Sequence, residues 1–232
     1  MPRRTPGSLW RFYSVMNKWT VIVSGGTLKE EVVLPILKDE NTEYLIGVDH
    51  GLSFLHAHRI LPNVILGDFD SLAPEVLDYY EKETELPVYK FNPIKDATDT
   101  ENAIRLAIEK GKKHILILGG TGTRLDHVWG NVQSLKIAKD AGVEAVLLDG
   151  NNRIRLLDKK TELKKAEAFG HYFSLFPLGG AVEHLCISGA KYPLTDHKLE
   201  PYDSLCVSNQ IQEEKVIITY ESGELVLMET RD

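Results

Sequence analysis

Cysteine is scarce in this chain of 232 residues, with Cys186 and Cys206 far apart and no others. That leaves no zinc-ligand spacing and no disulfide framework, and a reduced, cytoplasmic setting is the simplest fit. Long apolar runs are also missing. Nothing approaches the roughly 18 residues of a membrane span, so no membrane partner is expected. Residues 1–15 carry Arg3, Arg4 and Arg11 but lack the apolar stretch of an export signal. They read as a disordered leader, with Met16 just ahead of the first convincing strand. Excess positive charge is absent too. A formal net charge of −7 argues against a general nucleic-acid binder. An acidic protein still takes an anionic substrate where metal ions and a few local Lys or Arg neutralise it. What remains is 43% hydrophobic composition, typical of a soluble core and enough for one large domain or two modest ones.

The chain is organised around 63–72, NVILGDFDSL. Val64, Ile65 and Leu66 suit a short strand buried on both faces, and Gly67 lets the backbone turn after it. Asp68 and Asp70 follow one residue apart, and on an ending strand such positions share a face. Two hard carboxylates aimed at one point suit Mg2+. Asp and Gly are equally ordinary in a solvated turn, and this stretch alone does not decide between the two readings.

Upstream, Trp19 to Val23 reads as a strand ending in Ser24-Gly25-Gly26, followed by Leu28, Val32, Val33 and Ile36 at helical spacing. Tyr44 to Val48 is the next strand, closed by Asp49-His50-Gly51. Asp49 then falls at a strand's carboxyl end, where open α/β sheets hold ligands, although helix capping explains an Asp there equally well. His50, His56 and His58 read as surface residues. Downstream, Pro74 opens a helix to about Glu83, and Val88 to Phe91 forms a short strand. Thr98 and Glu101 have the capping-box spacing, which puts Asp99 in a helix's first turn. Asp49, Asp68, Asp70, Asp96 and Asp99 would gather along one edge if their strands share a parallel sheet. Such a cluster repels itself without cations, so it implies bound metal or raised carboxylate pKa values.

His114 to Leu118 is another buried-type strand, followed by the loop 119–124, GGTGTR. Its glycines suit a phosphate cradle and Arg124 adds a forked donor, but the Gly-Lys-Ser/Thr ending of a Walker A loop is missing. Leu125, Val128, Trp129, Val132, Leu135 and Ala138 place a helix after it, with Asp126 and His127 on the first turn. Glu144 to Leu148 closes this half. Beyond Gly150 the pattern changes to six short β-type segments: Arg153–Leu157, His171–Phe176, Ala181–Ile187, Ser204–Ser208, Lys215–Tyr220 and Glu224–Met228. The expected architecture is therefore α/β from 16 to 150, followed by a small all-β sandwich or barrel from 151 to 232.

Taken together, GDFDS at 67–71, KDATDTE at 95–101, GGTGTRLDH at 119–127, GAKYPL at 189–194 and SNQ at 208–210 resemble the thiamine pyrophosphokinase family, from about residue 20 to the end. The resemblance implies a three-layer, mostly parallel α/β nucleotide domain, a thiamine-binding β-sandwich, and a homodimer with its active site at the subunit interface. The implied substrates are ATP and thiamine, with Mg2+ as cofactor and thiamine diphosphate and AMP as products. It also implies Asp68, Asp70 and Asp99 as metal ligands, Asp96 nearby as a further ligand or proton acceptor, and Arg124 on the phosphates. Asp49 and Gly51 would contact the nucleotide, and Asp126, Tyr192, Ser208 and Asn209 the thiamine. Either Asp70 or Asp96 could take the proton of the attacking hydroxyl. The chain departs from the usual pattern at His50, Thr123 and Gln210. Two other readings start from the same residues. Asp-x-Asp after a strand is also the nucleophile signature of haloacid-dehalogenase-type phosphatases, although there it follows the first strand. A non-catalytic sensor of thiamine or nucleotide would keep the fold without turnover.

Overall fold

The structure is a computed structural model and describes residues 17–70, 72–82, 84–90 and 97–232. The leader, Phe91 and Asp96 therefore lie outside the described residues. The chain divides into two compact units, the first ending at Gly150 and the second running over Asn151–Asp232.

In the first unit, strands β1 (Trp19–Val23), β2 (Thr42–Val48), β3 (Val64–Gly67), β4 (Val88–Lys90), β5 (His114–Leu118) and β6 (Glu144–Leu148) alternate with five helices. The helices are α1 (Glu30–Leu37), α2 (Gly51–Ala57), α3 (Pro74–Lys82), α4 (Asp99–Glu109) and α5 (Leu125–Asp140). The strands pair in parallel in the order β4-β3-β2-β1-β5-β6. β1 and β3 are buried along their whole length, as runs without polar alternation require when a parallel sheet is covered on both faces. The chain builds outward from β1 through β4, then returns to place β5 on the other side of β1. That reversal opens a crevice at the carboxyl ends of β1 and β5, the usual ligand position in open α/β sheets.

Two local expectations change. Thr98 caps α4, its Oγ1 accepting from the Glu101 amide at 3.2 Å, but the Glu101 side chain pairs with Arg105 instead of closing the capping box. In α5 the buried side is Asn131, Val132, Ser134, Leu135 and Ala138, while Leu125 and Trp129 remain 77% and 47% exposed. Apolar spacing gave the helix but not the stretch of it that is covered.

The second unit is a sandwich of two antiparallel sheets, one with β13 (Leu225–Thr230) between β7 (Asn152–Leu156) and β9 (Tyr172–Pro177). The other has the order β11-β10-β12-β8, from β8 (Lys160–Lys164), β10 (Val182–Ser188), β11 (Leu194–Leu199) and β12 (Lys215–Thr219). Leu163, Phe173, Leu175, Val182, Leu185, Ile187, Leu199, Val216, Ile218, Leu225 and Leu227 meet between the sheets as one core. The segment 204–208, expected as a strand, is a turn closed by Val207 N–H on the Ser204 carbonyl at 3.2 Å. Its β-type composition comes from Cys206 plugging the core, with Leu205 and Val207 left exposed. The two unforeseen strands, β8 and β11, are mostly polar edge strands that each send one leucine, Leu163 and Leu199, into the core.

Candidate active site

The carboxyl ends of β2 and β3 and the start of α4 each deliver one acid to the same place. Asp49 follows β2, Asp68 follows β3, and Asp99 is the first residue of α4. One carboxylate oxygen from each lies within 4.8 Å of the others. The backbone is bent to make this possible. Asp49 and Phe69 both adopt positive φ, 42° and 61°, a region that costs a non-glycine residue energy. Phe69 is buried, and its N–H reaches Asp49 Oδ1 at 3.4 Å. Gly67 leaves room for the Asp49 carboxylate, because a Cβ there would stand 1.8 Å from Asp49 Oδ1. Burial, then the hydrogen bond and charge of Asp99, push the Asp49 carboxyl up to about 7, with Asp68 adding repulsion and the Phe69 N–H opposing the rise.

The expected ligand set and the observed group overlap without coinciding. Asp68 and Asp99 belong to both. Asp49, expected at the nucleotide, stands among the acids. Asp70 is exposed outside the group and donates its N–H to Asp68 Oδ1 at 3.3 Å. The signal for Asp49 was present in the sequence, since it follows β2 as Asp68 follows β3.

A cavity of about 450 Å³ opens beside these acids, lined among others by Gly26, Asp49, Asp99, Gly120, Arg124 and Asn131. On its other side the glycine loop is tied back at three successive carbonyls. Gly119 O accepts from Gly26 N–H at 2.8 Å, Gly120 O from Asn131 Nδ2 at 2.8 Å, and Thr121 O from Thr27 N–H at 2.7 Å. In a planar trans peptide the next N–H points opposite to the C=O. These three bonds therefore turn the N–H groups of Gly120, Thr121 and Gly122 away from the atoms that hold the loop. Thr121 Oγ1 also donates to Asp149 Oδ2 at 2.7 Å, and Ser24 and Thr100, both buried, share a hydroxyl bond of 2.9 Å. Gly26 is required here, because a Cβ on it would stand 2.1 Å from Thr121 O. Gly51 is buried against the Val23 carbonyl instead and packs α2 onto β1.

Arg124 lines the cavity and is exposed, its guanidinium forked onto Asp126 through Nη2 at 2.6 Å and Nε at 3.3 Å. The same bond holds the Asp126 carboxyl down at about 2. An exposed pair of this kind is weak and leaves Arg124 available to a stronger anion. In the second unit Tyr192 is 56% exposed, with Lys191 Nζ 5.3 Å from its ring centre. Asn209 is buried, and its amide clamps the Tyr192 backbone: Oδ1 accepts from Tyr192 N–H at 3.0 Å and Nδ2 donates to Tyr192 O at 2.8 Å. Ser208 is exposed at φ 59° and donates its N–H to Ser174 Oγ at 3.0 Å. Ser24, Thr100 and Asn131 escaped the sequence reading. Only Asn131 carried a signal, a polar residue beside Val132 within the apolar stripe of α5.

Fold and site define a class: an open parallel α/β domain with an acid group and a glycine loop at its switch point, followed by an antiparallel β-sandwich. Comparison with known proteins then narrows it. Residues 38–147 match the family model described as thiamin pyrophosphokinase, catalytic domain, and 160–225 match thiamin pyrophosphokinase, vitamin B1 binding domain. The thiamine pyrophosphokinase of Bacillus subtilis (strain 168) is 32% identical over 213 residues, covering 91% of this chain and 98% of that protein. A crystal structure of thiamine pyrophosphokinase from Bacillus subtilis aligns at TM-score 0.82 with 31% identity, covering 93% of this chain and 100% of the other. That of the Geobacillus thermodenitrificans protein aligns at 0.77 with 30% identity over 92% and 98%. The chain belongs to the thiamin pyrophosphokinase family. Neither the phosphatase nor the sensor reading finds support in these similarities.

Proposed function

We propose that the protein transfers the pyrophosphoryl group of ATP to the hydroxyl of thiamine, giving thiamine diphosphate and AMP. The observation that carries the proposal is the pairing, across one cavity, of a carboxylate group with a loop whose amides are turned away from its anchors. Membership of the family supplies the substrates. The domains divide the work: residues 16–150 take the nucleotide and residues 151–232 the thiamine.

Three acids beside a polyphosphate are tolerable only with cations between them, and the acids present fit Mg2+. They are hard oxygen donors close to one another, and Asp49 is driven toward its neutral form by burial and then by Asp99. Asp49, Asp68 and Asp99 would hold the ion, with Asp70 adjoining. When bound, Mg2+ supplies neutralisation of the charge on the transferring phosphates.

The chain's own residues do the rest. The 120–122 amides and Arg124 bind and orient the phosphates, with Arg124 leaving Asp126 to do so. The thiamine hydroxyl oxygen bonds to the β-phosphorus, the bond from that phosphorus to the α,β-bridging oxygen breaks, and AMP departs with that oxygen. A carboxylate, Asp70 or Asp96, takes the hydroxyl proton. Tyr192 offers an aromatic face and Asp126, once free, a negative charge to the cationic thiamine. Ser208 is exposed enough to bond it, whereas Asn209 serves by fixing the Tyr192 backbone.

The proposal includes a homodimer with the active site at the subunit interface, supported by the exposed Leu125, Trp129 and Tyr192. Among the described residues no helix is long and apolar enough to cross a membrane. A cytoplasmic location is supported by the free thiols of Cys186 and Cys206. The deciding experiment incubates the purified protein with ATP, Mg2+ and thiamine and separates the products. Thiamine diphosphate and AMP in equal amounts are expected, and phosphate released with thiamine unchanged would overturn the reading.

A further inference from the structure

A buried asparagine in the middle of a helix needs a reason, because an apolar residue would pack there without a polar group to satisfy. Asn131 lies 6% exposed on the covered side of α5, beside Val132 and Leu135. Its Nδ2 donates to Gly120 O at 2.8 Å, eleven residues back in the chain. Gly119 and Thr121 are held by backbone donors from the β1–α1 loop, which any sequence with that backbone would provide. Of these three carbonyls, that of Gly120 is the one held by a side chain. Its own Cα packs closely on the sheet, where a Cβ would stand 2.8 Å from Leu147 Cδ1, and the Asn131 bond fixes the plane of the peptide that follows.

We infer that Asn131 is a positioning residue for nucleotide affinity: by holding the Gly120 carbonyl it aims the Thr121 N–H at the phosphates. The inference rests on the reading of this cavity as the ATP site and adds a determinant which that reading does not contain. The residue touches no reacting atom. Its contribution acts through one peptide plane, so it concerns binding of the polyphosphate and leaves thiamine untouched.

The test measures the Kd of Mg·ATP and, separately, of thiamine by calorimetry, each without the other substrate, with a thermal melt of every variant. Asn131→Leu removes the donor without adding charge, and Asn131→Asp replaces it by an acceptor of the same shape. Both should weaken Mg·ATP by about tenfold, the size expected for one well-placed hydrogen bond, with thiamine affinity unchanged. Asn131→Ser keeps a donor and leaves room for a bridging water, so it should lose less, and it carries the test if Asn131→Leu does not fold. A folded variant that binds Mg·ATP as the wild type does, or one that weakens both ligands equally, overturns the inference. Wild-type protein that binds Mg·ATP yet transfers nothing to thiamine overturns the proposed reaction and leaves the role of Asn131 standing.

Discussion

Asp49, Asp68 and Asp99 form one side of the candidate site and the 119–124 loop the other, and the two are held by opposite means. On the acid side like charges crowd within 4.8 Å, two non-glycine residues sit at positive φ, and the Asp49 carboxyl is pushed to about 7. On the loop side the carbonyls of Gly119, Gly120 and Thr121 each meet a donor at 2.7–2.8 Å. The acid side is costly until a cation arrives, whereas the loop is already arranged before any ligand. Substitutions should therefore separate stability from function on the acid side and leave them coupled on the loop side.

Asp68→Asn is the largest expected break. Product formation should fall by about 10³, the scale of losing one group that stabilises charge in a transition state. The same variant, free of Mg2+, should melt at or above the wild-type temperature, because one of three mutually repelling charges is gone. A variant that is both active and less stable would show that the acids are not a repelling group.

Gly67→Ala comes next. The added Cβ cannot share space with Asp49 Oδ1, so the carboxylate must leave the group. Activity should drop by about a hundredfold, a change expected from a misplacement of about 1 Å in a reacting arrangement, and Mg2+ should no longer raise the melting temperature. Unchanged activity would mean that Asp49 is not needed where it stands.

The pH dependence is smaller and carries a definite sign. Asp49 titrates at about 7 in the fold against an ordinary value of 3.8, so between these values the folded chain holds a proton that the unfolded chain has lost. Stability of the metal-free protein should fall as pH rises from 4 to 7 and level off above. Mg2+ should then stabilise more at pH 8 than at pH 5, reaching about 2.7 kcal/mol at pH 8 when it stands at a hundredfold excess over its Kd there. Melts with chelator and with Mg2+ across that range check it, and a chelated protein whose stability rises from pH 4 to 7 would remove the crowding argument.

How far the sequence showed this contrast differs between the two sides. Asp68 and Asp70 were legible because a buried apolar run ended beside them, and Asp99 because Thr98 marked a helix start. Asp49 carried the same strand-end signal, but its meeting with the other acids depends on β2 lying next to β3. The strand order behind the cavity rests on pairings between distant segments, which no local pattern encodes. In the second unit, KTELK and LTDHKL have too few apolar residues to announce β8 and β11, as edge strands tend not to, while the apolar 204–208 read as a strand but turns around Cys206. Leu125 and Trp129 show a related gap: helical spacing identifies a face but not what covers it.

Thr121→Val should give the smallest effect and the sharpest comparison with the acid side. It removes the hydroxyl bond to Asp149 and keeps the backbone bond to Thr27 that holds the loop. Because Thr121 is partly exposed, water replaces part of what is lost, and stability should fall by about 1 kcal/mol. The KM for ATP should rise two- to fivefold with kcat nearly constant, on the scale of weakened ground-state binding. On the acid side a single substitution trades function for stability, and here both should decline together by small amounts. A Thr121→Val protein that gains stability while losing activity would mean that the loop, too, stores strain, and the difference between the two sides would vanish.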